Sequence, residues 1–167
     1  MKQFFSFVKK EFYHILRDKR TMLILLGMPI VQIIIFGFAL TNEVKNSKIA
    51  VLDYSKDVAT TAIINEINAS RYFNIIKNLA DYKNIETEFK TGKIKMVIVF
   101  PQNFNEDLHH FNKAQIQLIA DASDPNVAST LTNYATAIIM DYQDRITNER
   151  KLPYSIHTEI RMLYNPE

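Results

Sequence analysis

The run from Thr21 to Leu40, TMLILLGMPIVQIIIFGFAL, contains no charged residue. This limits what the chain can fold into more than any other feature. A helix of about 20 residues is about 30 Å long, the thickness of a bilayer's hydrocarbon core. Gln32 is its one strongly polar side chain. Gly27, Pro29 and Gly37 are awkward in a soluble helix but tolerated in a membrane. A buried core helix is a poor alternative, because such helices rarely stay apolar on every face over this length. A cleaved signal peptide fits no better: the run is too long, and no small-x-small site follows it. One transmembrane helix is therefore expected over 21–40.

Basic residues set its expected orientation. Lys2, Lys9, Lys10, Arg17, Lys19 and Arg20 precede the span, whereas Lys45, Lys48 and Lys56 are thinly spread after it. The positive-inside rule places 1–20 in the cytoplasm and 41–167 on the far side of the membrane. Within the lead-in, Phe4, Phe5, Val8, Phe12, Ile15 and Leu16 share one helical face, with Lys9, Lys10, Arg17 and Arg20 on another side. This is the pattern of a helix lying in the membrane interface, with Phe4, Phe5 and Phe12 as its aromatic anchors and cations toward anionic lipid headgroups. A plain positively charged flank is the simpler alternative.

After the span, short apolar runs alternate with helical patterns. Strands are expected over 48–54, 72–79, 95–100, 115–121 and 157–164. Helices are expected over 58–69, 82–91 (ended by Gly92), 103–111 and 124–150. Ile63, Ile64 and Ile67 mark the inner side of the first. In the last, Asp124 caps, Pro125 takes the first helical position, and Val127, Leu131, Tyr134, Ile138, Tyr142 and Ile146 form the expected apolar stripe. The strand over 115–121 alternates inward and outward residues. Strands interleaved with helices imply an α/β layer structure with a mixed sheet, in one soluble domain.

Chemistry is sparse. Of 167 residues only three are glycine, Gly27, Gly37 and Gly92, so neither a phosphate-cradling loop nor a dinucleotide fingerprint can be written. Cysteine is absent, which excludes disulfides and thiolate metal sites. A net charge of +2 is too balanced for a nucleic-acid binder. His109 and His110 are adjacent, so on a helix they diverge and cannot grip one metal; a surface pair is expected. Asp53 and Asp121 sit at strand ends, where turn and capping duties are expected ahead of ligand binding. No catalytic residue, cofactor or metal site is expected.

Several segments carry a family resemblance. The stretch KKEFYHILRDKRTMLILLGMPIVQIIIFGFALT resembles the opening of permease subunits of type-2 ABC transporters, through Lys10, Glu11, Arg17, Asp18, Arg20, Met28, Pro29, Phe36, Gly37, Ala39 and Leu40. Val51-Leu52-Asp53-Tyr54 is similar to that family's first extracytoplasmic strand. Phe100-Pro101-Gln102-Asn103-Phe104 resembles its IP-x-x-F segment, and Asp121-Ala122-Ser123-Asp124-Pro125-Asn126 its DGSDPN turn. Tyr164-Asn165-Pro166-Glu167 resembles the FNPE that precedes a second span. Ala122 departs from the pattern, standing where glycine is common.

The resemblance implies an exporter of drugs, lipids or polysaccharides in a bacterial inner (plasma) membrane. It implies a cytoplasmic ABC ATPase subunit that hydrolyses ATP, a second permease subunit as homo- or heterodimer partner, and further spans beyond Glu167 in the native chain. It also implies that the lead-in helix sits near the ATPase, which makes Glu11, Arg17 and Asp18 candidate coupling residues. The alternative is a single-pass, membrane-anchored binding or scaffold module.

Overall fold

A computed structural model describes residues 2–39 and 44–163. Leu40 and Thr41, where the expected span and domain meet, and the Tyr164–Glu167 motif lie outside the described residues. The chain divides into two units, Met1–Glu43 and Val44–Glu167.

The first unit is two helices, α1 (Lys2–Arg17) and α2 (Lys19–Ala39). The break falls at Asp18, so Lys19 and Arg20 open the apolar helix instead of closing the lead-in. Lys19–Gly37 is long and apolar enough to cross a membrane, and none of it is buried by the rest of the chain. Leu23, Ile33 and Ile35 are 74%, 72% and 57% exposed on this helix, apolar surface of the kind a bilayer covers. Pro29 lies inside α2 and donates no N–H to the turn before it.

The second unit alternates β1 (Ser47–Asp53), α3 (Val58–Ala69), β2 (Phe73–Asn78), α4 (Asn84–Lys90), β3 (Met96–Phe100), α5 (Phe104–His110), β4 (Lys113–Asp121), α6 (Pro125–Arg150) and β5 (Ser155–Leu163). The five strands form one sheet in the order β2-β1-β3-β4-β5. β1 runs parallel to both β2 and β3, β3 is antiparallel to β4, and β4 is parallel to β5. The mixed α/β expectation therefore holds.

Alternate residues of β1, β3 and β4 feed two cores. Ile49, Val51, Met96, Ile98, Phe100, Ile116, Leu118 and Ala120 face α3, α5 and α6. Ala50, Leu52, Val97, Val99 and Ile119 face the other way, where α4 contributes Ile85 and Phe89. This double cover corrects the expected alternation of β4. Its first half does alternate, but Leu118, Ile119, Ala120 and Asp121 are all buried, because both faces are covered there.

The face of α6 is also rotated from the expected stripe. Its buried residues are Ala128, Leu131, Thr132, Ala135, Ile139 and Tyr142. Val127, Tyr134, Ile138 and Ile146 are only partly buried at the flanks. Small side chains at 128, 132 and 135 let the helix approach the sheet closely between the buried Leu131, Ile139 and Tyr142. Tyr134 there stacks on Tyr72, with ring centroids 4.1 Å apart.

Local chemistry explains the ends. Gly92 follows α4 with φ +65°, the left-handed conformation that favours glycine after a helix. Pro101 ends β3, Asn103 takes φ 60°, and the chain turns so that Phe104 meets Phe100 edge to face at 5.7 Å. The spacing of Phe100 and Phe104 is thus a packing requirement. Ala122 has no positive φ, so its turn does not require glycine.

Candidate functional site

The charged residues singled out by sequence lie around the junction of α1 and α2. Described side chains of α1 are exposed throughout, among them Phe4, Phe5 and Phe12 at 69%, 73% and 63%. Phe4 and Phe5 meet edge to face at 6.4 Å. α1 has no acidic residue in its first turn and carries His14 and Arg17 in its last, which complements its negative C-terminal end. Glu11 is helically in line with Phe4, at the border of the aromatic face. Arg17 lies on the cationic side with Lys10.

Asp18 has a local task. Its N–H donates to the carbonyls of His14 and Ile15, both at 3.2 Å, ending α1. Its carboxylate accepts the Arg20 N–H at 3.0 Å and the Thr21 hydroxyl at 2.7 Å, capping α2. The Thr21 hydroxyl, with the Arg20 N–H, holds this carboxyl below the usual range. Sequence reasoning missed the cap, although Asp followed three positions later by Thr is a readable signal. Of the three candidates, then, Glu11 and Arg17 are offered from the helix surface and Asp18 is engaged in forming the corner.

In the second unit the strand-end carboxylates are taken up by neighbouring backbone and side-chain groups. Asp53 accepts the N–H groups of Ser55 (3.0 Å) and Lys56 (2.9 Å) and the buried Thr60 hydroxyl (2.8 Å). Asp121 accepts the Ser123 N–H at 3.0 Å and pairs with Lys95 at 3.0 Å. Burial pushes the Asp121 carboxyl up, but the Ser123 and Lys95 contacts outweigh it and the net shift is down.

Sequence reasoning did not single out Asp57. It caps α3 through the Thr60 N–H at 2.9 Å, and its second oxygen accepts the Asn105 N–H of α5 at 2.8 Å and the Ser55 hydroxyl at 2.5 Å. The Ser55 oxygen in turn accepts the Phe104 N–H at 2.9 Å. Two helix starts thus converge on one carboxylate. His109 is half-buried, not simply on the surface as expected: Nδ1 lies 3.3 Å from both the Tyr154 hydroxyl and Arg150 Nη1. Burial, then the Arg150 and His110 charges, lower its pKa. His110 is exposed.

A cleft of about 590 Å³ opens past the ends of β1 and β3, lined by Tyr54, Val99, Pro101, Gln102, Asp107, Gln115 and Gln117. Its amides and phenol can hydrogen-bond but supply no paired nucleophile and base. No group of three metal-ligating side chains occurs among the described residues.

A family model described as "ABC-2 family transporter protein" matches residues 19–167. The chain is 29% identical over 161 residues to "Probable multidrug ABC transporter permease YbhR" of Escherichia coli K12, covering 96% of this chain and 44% of that protein. It is 26% identical over 161 residues to "Probable multidrug ABC transporter permease YbhS" of the same strain, covering 94% and 42%. The chain thus spans less than half the length of these curated relatives. The fold is similar to "Crystal structure of a domain of a putative ABC type-2 transporter from Thermotoga maritima MSB8", with TM-score 0.54, 16% identity, and coverage of 70% of this chain and 86% of that one.

Proposed function

The chain belongs to the ABC-2 family of transporter proteins, and on that premise we propose that it supplies the first membrane span and the adjoining α/β domain of a permease subunit in an ATP-driven exporter. The observation that carries this reading is a family match from Lys19 onward that takes in the apolar helix and the mixed α/β unit together. ATP is hydrolysed in a separate cytoplasmic subunit, and a second permease subunit, identical or different, completes the complex. The setting is a bacterial inner membrane. The cargo falls among drugs, lipids and polysaccharides; the relatives' names as multidrug permeases favour drugs.

In this reading 1–20 is the cytoplasmic interface segment, 21–40 the span and 41–167 the extracytoplasmic domain. The basic bias before the span supports that orientation. A thiol scan tests it in this cysteine-free chain. Lys93 is exposed and offers a labelling position in the second unit. An impermeant reagent applied to intact cells is expected to label Lys93→Cys and spare Gln3→Cys; the opposite pattern reverses the orientation.

Phe4, Phe5 and Phe12 hold α1 at the membrane surface, Asp18 fixes the corner, and Glu11 and Arg17 meet the ATPase. Purification of the intact transporter from its native membrane is expected to bring down a nucleotide-hydrolysing subunit, and its absence would overturn the exporter reading. In that complex Arg17→Glu is expected to lower coupled hydrolysis several-fold without loss of insertion, since exposed charge changes shift stability by under about 0.5 kcal/mol. Lys9→Glu makes the same charge change elsewhere on α1. If lipid attraction of about 1 kcal/mol per basic residue were the whole role of α1, both variants would act alike.

A further inference from the structure

The sheet has two edges, and they differ. β2 is short, its pairing with β1 is interrupted by a register shift at Ile49/Ala50, and it carries Lys77, devices that discourage further pairing. β5 is longer, runs in unbroken register with β4 and has no proline. It exposes Ile160 and Met162 at 46% and 43%. Such an edge invites another strand.

The backbone of β5 shows which groups are on offer. Ser155 donates its N–H to Asn112 and Leu163 accepts from Ala122, so the odd-numbered residues point their N–H and C=O groups toward β4. The even-numbered residues point outward. Of these, the Ile156 N–H is taken by the Gln143 side chain at 2.7 Å. Thr158, Ile160 and Met162 present theirs at the open edge.

The structure assigns this edge to a second copy of the same chain: β5 pairs antiparallel with β5 of its partner, centred on Ile160, extending one sheet across both domains. In this register Ile160 faces its symmetry mate, and Thr158 faces the partner's Met162. Each exchanges both backbone bonds through the groups left free. Between them Glu159 stands opposite the partner's Arg161, at the closely spaced non-hydrogen-bonded sites where side chains interact most. Gln115 holds Glu159 at 2.5 Å and Tyr82 holds Arg161 at 3.2 Å, both on the open polar face beside the edge. Ile160 and Met162 of both copies fall together on the opposite face. The neighbouring registers that use the same outward groups oppose Glu159 to Glu159 or Arg161 to Arg161, and like charges there are unfavourable. The charge pattern therefore selects one register.

This inference rests on the reading of the chain as one of two paired permease subunits and adds the surface through which the domains meet. Directly opposed, hydrogen-bonded residues of antiparallel strands have Cα atoms about 5.5 Å apart, within disulfide reach. Under mild oxidation of the intact protein in its membrane, Ile160→Cys is expected to form a disulfide-linked dimer. Thr158→Cys and Met162→Cys are expected to cross-link when co-expressed and not when expressed singly, and Lys77→Cys on the β2 edge is expected to stay monomeric. Adding Glu159→Arg to Ile160→Cys is expected to abolish the cross-link, and Arg161→Glu in the same chain to restore it, which separates loss of pairing from loss of folding. Subunits paired by an amine-reactive reagent whose Ile160→Cys chains never join would overturn the β5 interface and leave the paired-permease reading standing. Absence of pairing by either route would overturn both. Equal cross-linking at every edge position would overturn the register.

Discussion

Phe104→Ala is expected to destabilise the α/β domain by about 3–5 kcal/mol, the cost of emptying a buried aromatic site. The ring has no exposed surface and packs against Phe100, another fully buried ring. Domains of this size are stable by about 5–15 kcal/mol, so one such change removes a large share of the total. The melting temperature should fall by roughly 10–20 °C. Phe111→Ala, one residue past the same helix, is the internal reference, since that ring is 70% exposed and its removal should cost under about 0.5 kcal/mol. Thermal unfolding of the intact chain, followed by far-ultraviolet circular dichroism, compares the two. Equal shifts would mean that the motif spacing from Phe100 to Phe104 does not serve the core.

What the sequence disclosed follows from the range of the interactions involved. α2 was legible because a bilayer demands an uninterrupted apolar run, a property of consecutive residues. β1, β3 and α3 were legible for a similar reason: Ile49 to Leu52, Met96 to Phe100 and the Ile63/Ile67 spacing are local patterns. The caps at Asp124 and Gly92 are also local, and both appear as expected.

The misses depend on distant partners. Following the largest apolar side chains of α6 found Leu131 and Tyr142 but not the rest of its inner face, where Ala128, Thr132 and Ala135 allow close approach to the sheet. The second half of β4 does not alternate because α4, far earlier in the chain, covers its other face. Asp57 drew no notice in the sequence; its contact with Asn105 crosses from one helix to another and has no signature in either segment. At the α1–α2 corner the resemblance drew attention to Asp18, but only the geometry showed its carboxylate turned back onto Arg20 and Thr21.

Replacement of Asp57 should be the most damaging polar change in the domain. Asp57→Ala removes the cap of α3 and strands the Asn105 N–H and the Ser55 hydroxyl at the start of α5. A lost cap costs about 1–2 kcal/mol and an unsatisfied partner about 1–3 kcal/mol, giving about 3 kcal/mol together. Asp57→Asn keeps one oxygen for the Thr60 N–H and should cost less, which makes it the better probe of charge. Burial pushes the Asp57 carboxyl up, but the Ser55 hydroxyl and the N–H groups of Thr60, Asn105 and Ala59 prevail and hold it below its ordinary value of 3.8. A carboxyl depressed in the folded state contributes stability that is complete above its unfolded pKa and disappears as pH falls through the folded one. The stability difference between the natural chain and Asp57→Asn should therefore shrink below about pH 4; His109, whose pKa the Asp57 charge raises, adds a smaller pH dependence of its own at higher pH. Asp121, also depressed, is unchanged in both proteins and drops out of the difference. Denaturant titrations of both proteins across that range measure it. A difference that persists undiminished into acid would show that Asp57 acts through shape alone, and that the convergence of two helix starts on its charge does not stabilise the fold.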